Sequence, residues 1–139
     1  MIAGLSHMTF VVKDLDRMAA ILTNVLGARE LYASGDDTFS ISRERFFDLA
    51  GIWIATMEGE PLSARTYNHV AFKISEDDFD LYVERIQAAG LDMRPPRPRV
   101  VGEGRSIYFY DDDNHLFELH TGTLEERLAR YDQARERAE

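Results

Sequence analysis

The spacing of apolar positions along this chain changes several times, and each change marks an element. Leu5 to Lys13 reads as a strand. From Asp14 onward Met18, Ile21, Leu22, Val25 and Leu26 fall on one face of a helix that Gly27 stops. Three further apolar, β-branched or aromatic runs follow at 30–32, 38–41 and 52–57, separated by Ser34-Gly35-Asp36-Asp37 and by the charged segment Ser42-Arg43-Glu44-Arg45. This predicts a βαβββ order. After a linker at 59–66 the order recurs: a strand from His69 to Ile74, a helix capped by Ser75 and ending at Gly90, then strands at 91–94, 106–110 and 116–121. Thr123 opens a charged C-terminal helix whose end, from Arg135 to Glu139, is expected to fray.

The repetition holds by offset as well as by order. His7 and Phe10 recur as His69 and Phe72 at an offset of 62, and Leu26-Gly27 recurs as Ala89-Gly90 at 63. The last strands match at about 64 or 65, which sets Trp53 or Ile54 opposite Glu118. Such repeats arise where one unit cannot bury its sheet alone and must pair with another. The predicted fold is therefore α+β, with two βαβββ modules at about 4–58 and 67–122 whose curved four-stranded mixed sheets form a cup. Residues 1–122 are expected to form a single domain, followed by a helix and tail at 123–139.

Composition narrows the function classes. A chain of 139 residues with 45% apolar and 29% charged residues has the balance of one folded domain. A net charge of −9 and a pI near 4.9 argue against nucleic acid or an anionic membrane as partner, since both reward a basic face. Any anionic ligand must then be met by local basic residues. The absence of cysteine excludes disulfides, thiolate metal sites and cysteine nucleophiles, leaving histidine and carboxylate to carry a metal. There is no basic-then-apolar N-terminus and no membrane-length apolar run, so a cytoplasmic protein is expected.

The run Asn114 to His120 sets a carboxylate mid-strand among apolar residues. In a strand Leu116, Glu118 and His120 point to one face, Phe117 and Leu119 to the other. Stripping water from an ion costs several kcal/mol, so Glu118 on an enclosed face needs a partner. Two other strands answer, each with one histidine near its start: His7 and His69. Singly these are structural histidines and a surface carboxylate. Together, at matched positions in two repeats, they supply two imidazoles and one carboxylate with coordination positions left open. His120 shares the face of Glu118 and competes as a ligand, though a hydrogen bond at the strand end is expected of it. His115, in an Asp-rich turn, is expected to be exposed.

One histidine on the first strand of each half and a glutamate on the last strand resemble the vicinal oxygen chelate superfamily, which includes glyoxalase I and the extradiol dioxygenases. Within it, Gly4-Leu5-Ser6-His7-Met8-Thr9, Tyr67-Asn68-His69, Ser106-Ile107-Tyr108-Phe109, the run Asp113 to His120 and the run Gly122 to Leu128 are similar to the fosfomycin-resistance proteins. The segment Phe39 to Phe47 ahead of Gly51-Ile52-Trp53 resembles their hydrolytic branch. The resemblance implies a Mn(II)-dependent epoxide hydrolase acting on fosfomycin as a domain-swapped homodimer, each site built from both subunits. It implies His7, His69 and Glu118 as metal ligands and Glu44 as the general base that deprotonates water. It further implies Thr9, Ser106, Tyr108 and Arg127 around metal and phosphonate, with Trp53 shaping the pocket.

From the residues alone, Glu44 between Arg43 and Arg45 reads equally as part of a solvated loop, Arg127 as half of a surface ion pair, and Trp53 as packing. The loop Arg94 to Arg105 departs from the family pattern. In the transferase branch the matching loop is shorter and supports a potassium ion and a lysine on the phosphonate. Here Arg94 is the candidate for the lysine's role, and no potassium requirement is expected. Three other functions stay open: thiol (glutathione) transfer to fosfomycin, metal-free drug binding, and extradiol dioxygenation, which shares the ligand set.

Overall fold

Asp14 ends the first strand by capping the helix that follows, its side chain accepting the Arg17 N–H at 3.0 Å. The chain passes from β1 (His7–Val12) into α1 (Leu15–Ala20), which runs on as a π turn at Ile21–Val25. The computed structural model describes residues 1–98 and 100–139; Arg99, in the loop singled out above, lies outside them. The described residues form two compact units, Met1–Thr66 with Asp111–His115, and Tyr67–Tyr110 with Leu116–Glu139.

In the first unit β2 (Arg29–Ala33), β3 (Glu44–Leu49) and β4 (Ile52–Glu58) join β1 in the order β1-β4-β3-β2, with β1 parallel to β4 and the other pairs antiparallel. Phe10, Val12, Phe47, Ile54 and Thr56 are buried from one face of this sheet, and α1 with its π turn buries Met18, Leu22 and Val25. Alternation sends His7, Thr9, Trp53, Phe46 and Glu44 to the other face.

The third strand lies six residues later than the 38–41 run suggested. Phe39 and Ile41 are 75% and 88% exposed in a bent loop, and the charged segment expected to separate strands instead begins β3 at Glu44. The reason is the turn after it. Ala50 and Gly51 both take positive φ, 52° and 84°, so a two-residue hairpin turn fixes the register of Leu49 on Ile52 and carries the ladder back to Glu44.

In the second unit β5 (His69–Lys73), β6 (Asp92–Met93), β7 (Ser106–Tyr110) and β8 (Leu116–His120) lie in the order β5-β8-β7-β6. Ser75 caps a 3-10 turn at Glu76–Asp78 that leads into α2 (Phe79–Ala88). Ile86 of α2 is fully buried, as are Phe109 and Phe117 of the sheet. The last helix, α3 (Leu124–Ala138), starts with a reciprocal cap: the Thr123 hydroxyl accepts the Glu126 N–H and donates to its carboxylate, each at 3.1 Å. It continues to Ala138, so the expected fraying from Arg135 is not seen. At its base Gly104 and Gly122 cross so closely that a Cβ on Gly104 would lie 2.5 Å from the Gly122 nitrogen. Only glycine fits there, and the crossing ties the 100–105 loop to the end of β8.

The registers correct the expected alignment of the repeats. His7 pairs with Trp53 and Thr9 with Ala55, while His69 pairs with Leu116 and Ala71 with Glu118. The position matching Glu118 is therefore Ala55, not Trp53 or Ile54. Among the described residues no helix is long and apolar enough to cross a membrane.

Candidate active site

On β8, Glu118 is 6% exposed, and its two carboxylate oxygens have different neighbours. Ser106 donates to Oε2 at 2.6 Å and is itself 2.7 Å from His120 Nδ1. Oε1 faces His69 Nε2 at 3.1 Å. The other ring nitrogen of His69 lies 2.7 Å from the Tyr67 carbonyl oxygen, which can only accept, so Nδ1 carries a proton. With that proton on Nδ1, Nε2 and Oε1 face one another at 3.1 Å, a gap that either a proton on Nε2 or a cation shared by the two can fill. Two ligands each about 2.1 Å from a divalent ion at a right angle are about 3.0 Å apart, so the pair fits one edge of a metal coordination sphere. Ser106 and the Tyr67 carbonyl orient the two ligands from behind.

His120 sits at the strand end, tied through Ser106 to the rear oxygen of Glu118. This matches its expected hydrogen-bonding place. His115 differs from expectation: it is half-buried, its Nδ1 2.8 Å from Oδ2 of the buried Asp111 in the turn that belongs to the first unit. The same turn docks on β1 and the linker, with the Lys13 N–H donating to Asp113 at 2.9 Å and Asn114 donating to the Leu62 carbonyl at 2.6 Å.

Tyr108 pairs with Glu118 across the ladder and so shares its face. Burial, the Tyr67 hydroxyl 3.2 Å away and the Glu118 carboxylate together push the Tyr108 phenol well above its ordinary value, so it stays a hydrogen-bond donor. Arg97 completes this group. Its guanidinium donates to the Tyr67 hydroxyl at 2.9 Å and lies 5.8 Å from the ring centres of both Tyr67 and Tyr108. Arg94, the residue proposed from sequence, is held by Asp92 at 3.4 Å. Sequence reasoning missed Arg97 because the Pro-rich loop gives no strand parity from which to place it. Arg127 lies half-buried on the first turns of α3, and its guanidinium forms no ion pair among the described residues.

In the first unit His7 is exposed, its Nδ1 3.0 Å from the Ser6 hydroxyl and its ring 4.3 Å from that of Trp53. Trp53 meets Phe46 at 5.2 Å, and Phe46 meets Tyr32 at 5.1 Å, so an aromatic row crosses this face of the sheet. Trp53 is 41% exposed, which makes it a wall of that face and not interior packing. Thr9 is the next residue along β1 on this face and is exposed.

Glu44 is a different kind of carboxylate. It is 9% exposed, and no hydrogen bond or ion pair to its side chain is formed among the described residues. Its neighbours Arg43 and Arg45 point the opposite way, paired with Glu58 and Asp16. They bound, with Lys13 and Ser34, a cavity of about 480 Å3 beside the start of β3. The residue is largely enclosed, but its carboxylate oxygens still reach solvent and have no protein partner among the described residues, so both are available to accept a proton from water.

His69 and Glu118 thus stand together in the second unit, and His7, Thr9, Trp53 and Glu44 share a face in the first. Among the described residues no three side chains of metal-binding type gather within the one chain.

Residues 4–119 match the family model of the Glyoxalase/Bleomycin resistance protein/Dioxygenase superfamily, and the chain belongs to that family. Within it the chain is 68% identical to the fosfomycin resistance protein FosX of Mesorhizobium japonicum, over 94% of each chain. It is 60% identical to FosX of Listeria monocytogenes, over 94% of this chain and 98% of that one. A crystal structure of a variant of the Listeria monocytogenes protein, complexed with Mn(II) and 1S,2S-dihydroxypropylphosphonic acid, matches with a TM-score of 0.86 and 59% identity, over 94% of this chain and 99% of that one.

Proposed function

We propose that this chain confers fosfomycin resistance by hydrolysing the epoxide of the drug to a vicinal diol with Mn(II) as cofactor. The observation that carries the reading is the buried, unpartnered Glu44 on the same sheet face as His7. The relatives described above, one of them bound to Mn(II) and a dihydroxy phosphonate, support it. In this reading His7, His69 and Glu118 hold the metal, which when bound polarises the epoxide oxygen as a Lewis acid. Glu44 takes a proton from water, the water oxygen bonds to an epoxide carbon, and that carbon's bond to the ring oxygen breaks. The released oxygen takes a proton from solvent to become the second hydroxyl and Glu44 returns its own to solvent, so one water is added and nothing leaves.

A phosphonate carries its charge on several oxygens and needs several converging donors. We assign Arg97, Tyr108 and Arg127 to that task, with Thr9 beside the metal and Trp53 walling the pocket. Ser106 holds the rear oxygen of Glu118 and leaves Oε1 for the metal. Arg94 is left to its ion pair with Asp92.

The active species in this reading is a homodimer in the cytoplasm. His7 on the first unit of one protomer joins His69 and Glu118 on the second unit of its partner. That arrangement accounts for an exposed His7 and for β1 and β5, the histidine strands, each standing at the edge of its sheet. The test of the reaction is product mass. Purified protein with Mn(II) and fosfomycin, in the absence of any thiol, should yield a product heavier by one water. No product until glutathione is added would overturn hydrolysis in favour of thiol transfer.

A further inference from the structure

At the open end of the β2–β3 ladder a side chain takes the place of a main-chain group. The Ser34 N–H donates to the Glu44 carbonyl at 3.0 Å, as an antiparallel rung requires. The reciprocal bond, from the Glu44 N–H to the Ser34 carbonyl, is absent because that carbonyl has turned away to accept the Asp37 N–H at 3.1 Å. The chain swings off the sheet at once, through Gly35 at φ +61. In place of the carbonyl, the Ser34 hydroxyl accepts the Glu44 N–H at 2.9 Å. Both backbone polar groups of Glu44 are therefore tied to one buried serine, which is 8% exposed.

Around this rung the flanking residues are fixed from elsewhere. Glu58 donates its N–H to the Arg43 carbonyl at 3.0 Å, and the Arg43 and Arg45 side chains pair with Glu58 and Asp16. The Glu44 side chain itself has no partner to hold it. Its position rests on the backbone at Cα, and that backbone rests on Ser34.

Taking Glu44 as the general base of the reading above, we infer that Ser34 is its positioning residue. The Ser34 hydroxyl lets the chain leave the sheet at Gly35 while keeping β3 closed up to Glu44, and so sets where the carboxylate meets water. Alanine removes the acceptor and leaves a buried N–H unpaired, which opens the first rung of β3. A base displaced by even 1 Å loses rate sharply, by about 10-fold to 100-fold.

The test compares Ser34→Ala, Ser34→Thr, Glu44→Gln and the double variant Ser34→Ala/Glu44→Gln in fosfomycin hydrolysis, with Mn(II) affinity measured separately by the free-ion electron paramagnetic resonance signal. Ser34→Ala should lower kcat about 10-fold or more with KM and Mn(II) affinity unchanged. Ser34→Thr, which keeps the hydroxyl, should restore most of it. In the double variant the alanine should add no loss beyond that of Glu44→Gln, because a residue acting only through Glu44 has nothing left to position. Should alanine prevent folding, Ser34→Cys carries the same comparison, since its thiol is a similar shape but a weak acceptor. A wild-type kcat in Ser34→Ala, a loss that repeats in full on the Glu44→Gln background, or a loss shared by Mn(II) affinity would overturn the positioning role while leaving Glu44 as base. A wild-type rate in Glu44→Gln would instead remove the base itself, and this role of Ser34 with it.

Discussion

The two sheets of this chain have the same strand order, β1-β4-β3-β2 and β5-β8-β7-β6, and each opens with a histidine, yet they carry different chemistry. At the register position where the second sheet holds Glu118, the first holds Ala55. Where the second surrounds its histidine with a carboxylate, a serine, two tyrosines and an arginine, the first surrounds His7 with Trp53, Phe46 and Tyr32 and sets a lone carboxylate, Glu44, further along the face. The repeated scaffold places a histidine at the same point of each sheet, while the residues beside it differ; in the function proposed above, one sheet then supplies metal and phosphonate ligands and the other the base.

The largest expected effect falls on the second sheet. Glu118→Gln keeps the shape and the Ser106 contact but removes the charge, and should weaken Mn(II) binding by more than about 100-fold and abolish turnover. His120→Gln should change Mn(II) binding far less. Equilibrium dialysis of both variants checks this, and the reverse order of damage would show that His120 is the ligand.

On the first sheet the corresponding change leaves the metal alone. Glu44→Gln should bind Mn(II) as the wild type does while hydrolysis falls by about 10²–10⁴, the usual scale for a lost general base. Thiol addition should survive better, since a thiol is already partly ionised. Rates with and without glutathione at matched Mn(II) occupancy separate the two.

A smaller effect distinguishes two arginines of one loop. Arg97→Ala should raise KM for fosfomycin about 10-fold, the scale of one charged hydrogen bond, while Arg94→Ala should stay within about 2-fold because its partner is Asp92. Equal shifts in the two would remove the distinction.

The smallest effect concerns stability. Burial raises the Asp113 carboxyl above its ordinary range, a rise the Lys13 N–H opposes and the neighbouring Asp111 adds to. The folded state therefore prefers the protonated form, and ionisation of Asp113 costs stability at neutral pH that is recovered as pH falls through the raised value toward the ordinary one near 3.8. Asp113→Asn keeps an oxygen for the Lys13 N–H and should raise stability at pH 7 by less than about 1 kcal/mol, with the gain vanishing near pH 3–4. Urea unfolding at the two pH values checks the sign.

Much of this was legible in the chain. His7 and His69 stand on strands that Asp14 and Ser75 end, ahead of helices stopped at Gly27 and Gly90, and Glu118 on a strand between Asn114 and Gly122, so their elements and faces could be read from period and punctuation. The third strand was not, because Phe39 and Ile41 have the residue types of a strand but lie exposed, whereas Glu44 to Leu49 mixes charge with aromatics. The signal that would have corrected it is Gly51 two residues after Leu49, a hairpin turn that dates the strand from its end. Arg97 had no such signal, since its place depends on the fold of a proline-rich loop. The burial of His115 depends on the Asp111–His115 turn packing into the first unit, a contact between residues about 100 apart that no local pattern encodes.

The central claim is that one complete site takes His7 from one protomer and His69 with Glu118 from the other. Mixing His7→Ala with His69→Ala, each inactive alone, and allowing the subunits to exchange tests it directly. In a shared-site dimer half the mixed population carries both variants, and one of its two sites is then wild type throughout, so hydrolysis should return to about a quarter of the wild-type rate. If each site were built within a single chain, every site would carry one lesion, and no recovery at any mixing ratio would contradict the account.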